Sequence, residues 1–497
     1  MKIRSTSAVL ASLLIIAALG TSCSDEPTSG TVTDAVNETA PVTEAEPDSL
    51  RGERLPSALP ADLDLAGEAV RIWYFTQSGS TIESCVNIAG DVEGDIVDVA
   101  MYNTNRQIED DLNVILDFKP QDVKSGSTGD EIRKLAMAAE DLYDIYTVCQ
   151  WNAVSLATEH VFLDLSDAPY FNFGNPWWSK AYIDACSLGK DHLYFLAGDV
   201  SLDMIRCISA FYFNQKLLLD LDFNVEDLYA EVLDGKWTAD RMMTYANAAY
   251  SDINGNGKGD AGDRFGLFVN YSNGLDTLAF GMGLQLTARD ENNYPYLTGE
   301  LEHNVNVFEK MQLIINESDS VLHDWDDQEK LNWFIEGNAL FQGGFLYTSE
   351  RLRDMEDDFG IVPFPKYDES QENYISIMHD ITSLMCVPTT NSKLDTTCAV
   401  LEALAYYNYY DVTPVYYEDA LKVKYSRDDM TPMVVDMIRD SVTTDMSYIY
   451  IPNFNDLGRI MRDTAIYKKY ASTYARKIKA TQKKLDNFIA AFEEEID

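Results

Sequence analysis

Positive charge is scarce in this chain. Against 82 Asp plus Glu stand 38 Lys plus Arg, a formal net charge of −44 over 497 residues. A surface this acidic repels phosphate backbones and anionic headgroups. That excludes DNA or RNA as the main ligand and a basic membrane-surface helix as the main device. Histidine is scarcer still, at five residues. No HExxH, GxSxG or GxxxxGKS/T occurs, so metalloprotease, nucleophile-elbow and P-loop chemistry find no support. The seven cysteines form no CxxC and no Cys/His ligand spacing, which argues against zinc. Apolar runs are short. The clearest, Ala8–Gly20, would span about 20 Å as a helix, well under a hydrocarbon core of roughly 30 Å.

What is present is core material: 46% hydrophobic residues, 11% aromatics and 29 Tyr, enough for two large lobes. Lys2 and Arg4 precede the apolar run, so residues 1–23 read as a secretory signal. It ends Leu19-Gly20-Thr21-Ser22-Cys23 and resembles a bacterial lipoprotein signal, which makes Cys23 the lipidated residue and places the protein on the extracellular face of the membrane. Gly20 departs from the usual branched residue three before the cysteine. Residues 24–65 carry ten acids and two arginines among Ser, Thr and Pro. They are expected to form a disordered acidic tether. The six other cysteines permit three disulfides in 15 connectivities or, equally, free buried thiols.

Beyond the tether the pattern alternates. Ala69–Thr76, Asn113–Phe118 and Tyr143–Cys149 are β-branched and aromatic, hence strands; 95–112 and 131–140 have helical spacing. Strand and helix in turn predict a parallel α/β sheet. The alternation resumes with strand 207–213, helix 214–221, helix 239–250 behind the N-cap Thr238, and strand 264–269. The last third is mostly helical, closing with an amphipathic helix over 465–492.

One local motif is sharp. Residues 252–263 read D-I-N-G-N-G-K-G-D-A-G-D, which fills the oxygen positions of a twelve-residue calcium loop: Asp252, Asn254, Asn256, the carbonyl of Lys258, Asp260 and Asp263. The loop resembles the EF-hand, and still more the dockerin type, but Gly259 replaces the usual aliphatic residue at position 8. A solitary structural Ca2+ is the expectation, against the plainer reading of an Asn/Gly/Asp turn.

Aromatic residues near strand ends are the ligand candidates, because flat rings stack on sugar rings and nearby acids or amides take the hydroxyls. Trp151 follows the strand ending at Cys149, where open α/β sheets bind ligands. Trp177 and Trp178 follow a turn at Asn175-Pro176, and Phe345 follows Gly343-Gly344. Asn152, Asp199 and Asp380 are the polar candidates. With 82 acids close carboxylate pairs are inevitable, so a glycosidase pair carries little weight and no catalytic residue is assigned.

Several blocks, in order, resemble one family: DIYTVCQW at 144–151, FYFNQKLL at 211–218, DGKWTADRM at 234–242, DINGNGKGDAGDRFG at 252–266, FIEGNALFQGGF at 334–345 and DFGIVPFPKYDESQ at 358–371. Together they are similar to bacterial extracellular solute-binding proteins of family 1, the maltose-binding-like receptors of ABC importers. The resemblance covers 66–497. It implies an α/β, periplasmic-binding-protein-like fold of type II: two lobes joined by hinge strands near 205–210 and 375–381, closing on a ligand. Lobe 1 would be 66–206, with 378–425 returning to it. Lobe 2 would be 207–377, with helices of 426–497 packing on it. The resemblance implies a monomer that captures a carbohydrate, mostly oligosaccharides in this family, and delivers it to ABC permease subunits. Trp151 and Phe345 match the family's aromatic positions. The alternative is a secreted glycoside hydrolase, which turnover on glycosides would reveal.

Overall fold

In a computed structural model, the described residues are 53–76, 88–138, 140–189, 192–257, 259–260, 262–324, 327–353, 355–417, 430–464 and 469–493. Their strands are β1 (Glu68–Thr76), β2 (Val114–Asp122), β3 (Ile145–Cys149), β4 (Ser209–Asn214), β5 (Phe265–Asn270), β6 (Thr287–Arg289), β7 (Pro295–Leu297), β8 (Val321–Asp324), β9 (Ala339–Phe345), β10 (Phe359–Val362) and β11 (Ser383–Cys386).

They build two main sheets. The first has the order β2-β1-β3-β11, with β1, β2 and β3 parallel and β11 antiparallel at the edge. Every residue of β3 is buried, as a central strand covered on both faces requires. The second has the order β10-β4-β9-β5-β8; β5, β8 and β9 are parallel, and β4 runs against β9. Helices cover the sheets. Asp95 caps the helix Ile96–Leu112 by accepting from the Val97 and Asp98 amides, and the chain leaves it through Asn113 at φ 48°. Thr238 caps Ala239–Ala249 by accepting from the Arg241 amide.

Among the described residues, three segments meet where the chain passes between the sheets. Cys207–Ser209 lies antiparallel to Ile377–His379, with Ser209 N donating to Ile377 O and His379 N to Cys207 O, both at 2.9 Å. Val442 runs parallel beside Ser376. A ribbon of paired backbone thus forms the hinge.

Two expectations change. Residues 24–52 lie outside the described residues, but 53–65 are not a free tether. Leu55 N donates to Tyr410 Oη at 2.9 Å, Ala58 N to Glu402 at 3.2 Å and Leu65 N to Leu112 O at 2.8 Å, while Arg54 pairs with Asp411. Leu59, Leu63 and Leu65 give this segment apolar surface to bury, which its acid count concealed. Nor does the C-terminal part pack on lobe 2 alone. Helix Thr431–Asp440 does lie against β10. Beyond it, Tyr450 donates to Cys186 O at 2.6 Å and Phe492 meets Tyr194 at 5.5 Å, both in lobe 1. The same final helix, Tyr470–Glu493, bonds through Tyr470 to Gly299 O at 2.8 Å in lobe 2. It bridges the lobes. The five described cysteines beyond the signal, Cys149, Cys186, Cys207, Cys386 and Cys398, are all free and buried.

Candidate ligand cleft at the hinge

The carboxyl ends of β3, β9 and β5 lead to the hinge. From lobe 1, β3 runs directly into the helix Gln150–Ala157 and places Trp151, half-buried, in its first turn. The Asn152 side chain is engaged within lobe 1, donating to Thr128 Oγ1 at 3.0 Å. It packs on Gly129, where an added Cβ would stand 2.9 Å from the Asn152 oxygen, so a side chain there would displace it. From lobe 2, β9 ends at Phe345, whose ring stacks on Tyr347 at 5.6 Å. The end of β5 supplies Tyr271 and Asn273; Tyr271 meets His323 of β8.

The hinge fills the space between. The His379 ring lies 4.5 Å from Phe345, and its Nε2 contacts the side-chain amide of Asn273. Asp380 has its main-chain oxygen 3.3 Å from Trp151 N, so hinge and helix are directly tied. Its carboxylate pairs with Arg459, has His379 Nδ1 at 3.0 Å and Arg462 at 3.7 Å. The Arg459 guanidinium lies 4.0 Å over the Trp151 ring. Arg462 in turn binds Asp276, through Nε at 2.7 Å, and Asn273 at 3.0 Å.

Two acids and two arginines make this cluster neutral, inside a chain of net charge −44. The two acids differ. Burial opposes the charge of Asp380, but His379, Arg459 and Arg462 outweigh it and hold the carboxyl below the usual carboxylate range. Burial pushes Asp276 up to about 6, because Arg462 only partly compensates. Among the described residues, Arg459 Nε, Asp276 Oδ1 and Tyr448 Oη are buried without a hydrogen-bond partner. Such atoms are costly unless something accepts from or donates to them.

Of the residues expected to bind ligand, Trp151, Phe345 and Asp380 come together here, with Asn152 at the margin. Trp177, Trp178 and Asp199 do not. Trp177 is fully buried, and the indole N–H groups of Trp177 and Trp178 both donate to the buried Glu402, at 3.2 and 2.9 Å. Asp199 accepts from Thr413 Oγ1 and Arg439, each at 2.7 Å. Gly198 packs so closely that a Cβ would lie 2.3 Å from Trp177 O. A turn after Asn175-Pro176 carries both indoles inward; Trp177 is lobe 1 packing, while Trp178 and Asp199 border a separate cavity and not this cleft. Sequence reasoning missed Arg459, Arg462, Asn273 and Tyr347. The one available signal was a pair of arginines three apart in a basic-poor chain.

In the loop 252–263, Gly255 and Gly257 adopt φ of +69° and +71°. The Asp252 carboxylate accepts from Gly255 and Gly257 N at 2.7 and 2.9 Å, and Asp260 accepts from the side-chain amides of Asn254 and Asn256 at 2.7 and 2.6 Å. Asp263 accepts from Ile253 N at 3.0 Å. Lys258 lies outside the described residues, as does Cys23. Among the described residues no group of three or more His, Cys, Asp or Glu converges as a metal site. The donor types suit calcium; in the arrangement shown they are occupied by the loop's own N–H groups.

No protein-family model matches the sequence, and no curated protein is similar to it in sequence. Solved structures are. The chain is similar to the sugar-binding protein MalE from the phytopathogen Xanthomonas citri, at 11% identity over 86% of this chain and 99% of that one, with a TM-score of 0.58. It is similar to a cyclo/maltodextrin-binding protein complexed with maltotetraose, at 11% identity over 86% and 97%, TM-score 0.54. It is similar to UgpB from Mycobacterium tuberculosis in complex with glycerophosphocholine, at 13% identity over 79% and 96%, TM-score 0.53. The chain therefore has the type II, periplasmic-binding-protein-like α/β fold of maltose-binding-like solute-binding proteins. No described helix is long and apolar enough to cross a membrane.

Proposed function

We propose that the protein is the substrate-binding lipoprotein of an ABC importer and captures a carbohydrate, an oligosaccharide in particular, by closing its lobes. The observation that carries this reading is the convergence of Trp151 from one lobe with Phe345 and Tyr347 from the other on the hinge cluster His379–Asp380–Arg459. Aromatic faces on both lobes give a sugar contacts that exist only when the lobes approach, which is what drives closure by population shift. The charge balance of the cleft supports a neutral ligand. The charges of Arg459 and Arg462 are balanced by Asp380 and Asp276, so the cluster brings no net positive charge to a phosphodiester, while the Arg459 Nε–H remains a donor for a hydroxyl. The same pairing gives these two carboxylates a structural role.

In this reading Cys23 carries the lipid, the protein acts as a monomer at the outer face of the membrane, and an ABC permease receives the ligand. Ca2+ in the loop 252–263 is structural and ties helix Ala239–Ala249 to β5. Calorimetric titration with a maltooligosaccharide series, beside glycerophosphodiesters, tests the reading. Saturable one-to-one binding of a neutral sugar without product supports it. Binding only of the phosphodiester, or turnover of a glycoside, overturns it.

A further inference from the structure

The hinge ribbon has a second face. Successive residues of an extended segment point to opposite sides. His379 faces Phe345 in the cleft; its neighbour Met378 and the paired Ile208 face the other way, into a cavity of about 590 Å³. That volume lies within the range of small-molecule sites. Its walls come from both lobes: Phe173 and Trp178 from lobe 1, and Val435 and Asp440 from the helix Thr431–Asp440 that packs on lobe 2. None of these residues belongs to the cleft described above.

The cavity is apolar along the hinge and charged around it, where Asp199, Asp436 and Asp440 outnumber Lys180 and Arg439. Ile208, Met378 and Val435 are fully buried, and Trp178 shows only 4% of its surface. At the mouth Asp440 is exposed. The rim's cations are ion-paired. Lys180 pairs with Asp184 at 2.6 Å. Arg439 pairs with Asp199 at 2.7 Å while lying 5.1 Å over the Tyr409 ring, so an aromatic of this cavity already faces a guanidinium. Aromatic faces and a carboxylate at one mouth are the chemistry that recognises an ammonium group. The strongly negative chain raises the local concentration of such cations.

We propose that this cavity is a second ligand site, behind the hinge, for a small organic cation: an apolar or aromatic body seated against Trp178, Ile208 and Met378, with its ammonium at the rim beside Asp440. Because the walls belong to both lobes, an occupant there bears directly on their separation and thus on the affinity of the cleft.

The test titrates benzyltrimethylammonium into the full chain, with benzyl alcohol as the uncharged control, followed by calorimetry and tryptophan fluorescence. Saturable one-to-one binding is expected, with the alcohol bound at least tenfold more weakly. Ala181→Trp, an exposed position at the mouth, should abolish binding. Asp440→Asn, also exposed, should weaken it roughly two- to fivefold, as removal of one partly solvated charge contact does. Trp151→Ala should leave it unchanged while impairing the cleft, so failure of the sugar reading and failure of this one are separable. No saturable binding, equal binding of the alcohol, indifference to both mouth variants, or loss with Trp151→Ala would each overturn the proposal.

Discussion

Two groups of tryptophans in lobe 1 have opposite fates. Trp151 sits half-buried at the end of β3, with Arg459 on its face and the lobe 2 rings Phe345 and Tyr347 across the hinge. Trp177 and Trp178 sit on a turn, yet both are buried and share one acceptor, Glu402. Residue type and local sequence do not separate them. What separates them is where the indole N–H goes: a buried carboxylate that satisfies two of them marks a packing unit. Burial of Glu402 raises its pKa, and the Ala58, Trp178 and Trp177 N–H groups counter the shift. The acid, the two indoles and the N-terminal segment form one unit.

The contrast can be broken at several points. The largest effect is expected at Trp177→Ala, at about 3–5 kcal/mol of stability in denaturant unfolding, with ligand affinity of the folded fraction unchanged. A lost affinity at full stability would move Trp177 back to the cleft.

Next come the buried acids. Burial pushes Asp203 up to about 6, with Arg206 at 3.9 Å only partly compensating because that guanidinium also binds Glu350. In the unfolded chain the carboxyl should titrate near about 4. Between these values the native state holds more protons, so this contribution to stability is full below about pH 4 and is lost as pH rises through about 6. The full span is about 3 kcal/mol. Asp380 has the opposite sign: its folded value is depressed, so its contribution is present above the unfolded value and is lost on strong acidification. Asp276, pushed up to about 6 in the same way, adds a decline of the same sign, so Asp203→Asn should roughly halve the fall in stability between about pH 4 and 6 measured by urea unfolding; an unchanged slope refutes it.

Glu402→Gln leaves one of the indole or amide donors short of an acceptor and should cost about 1–3 kcal/mol, read as a lowered Tm. Trp151→Ala should weaken sugar binding up to about tenfold, at the upper end of what one aromatic contact contributes, and lower Tm less than Trp177→Ala does. The smallest expected effect is calcium. Adding it after chelation should raise Tm modestly, with Asp260→Asn removing the increment; an identical Tm with and without calcium removes the metal from the loop.

Much of the fold was legible because periodicity and caps are local. The aromatic run at β1, the fully buried β3 and the Thr238 cap each follow from a few adjacent residues, and the structure places them where the pattern does. The cleft was legible in part. Trp151 and Phe345 lie at strand ends, and strand ends are readable. Arg459, Arg462 and Asn273 were not, since each acquires its role from a partner more than 70 residues away. The segment 53–65 was misread for the same reason: its acids are visible in the sequence, but Glu402 and Tyr410, which its backbone bonds, lie some 350 residues on.

The sequence by itself determined the alternation of strand and helix, the acidity and the aromatic supply, because these depend on composition and short-range spacing. Only the tertiary structure decided which aromatic faces the cleft, which acid is neutralised and which is left strained by burial, and that the hinge ribbon has a cleft on one face and a cavity on the other. Those outcomes depend on which distant groups meet out of water, where a single charge or N–H partner decides the energy.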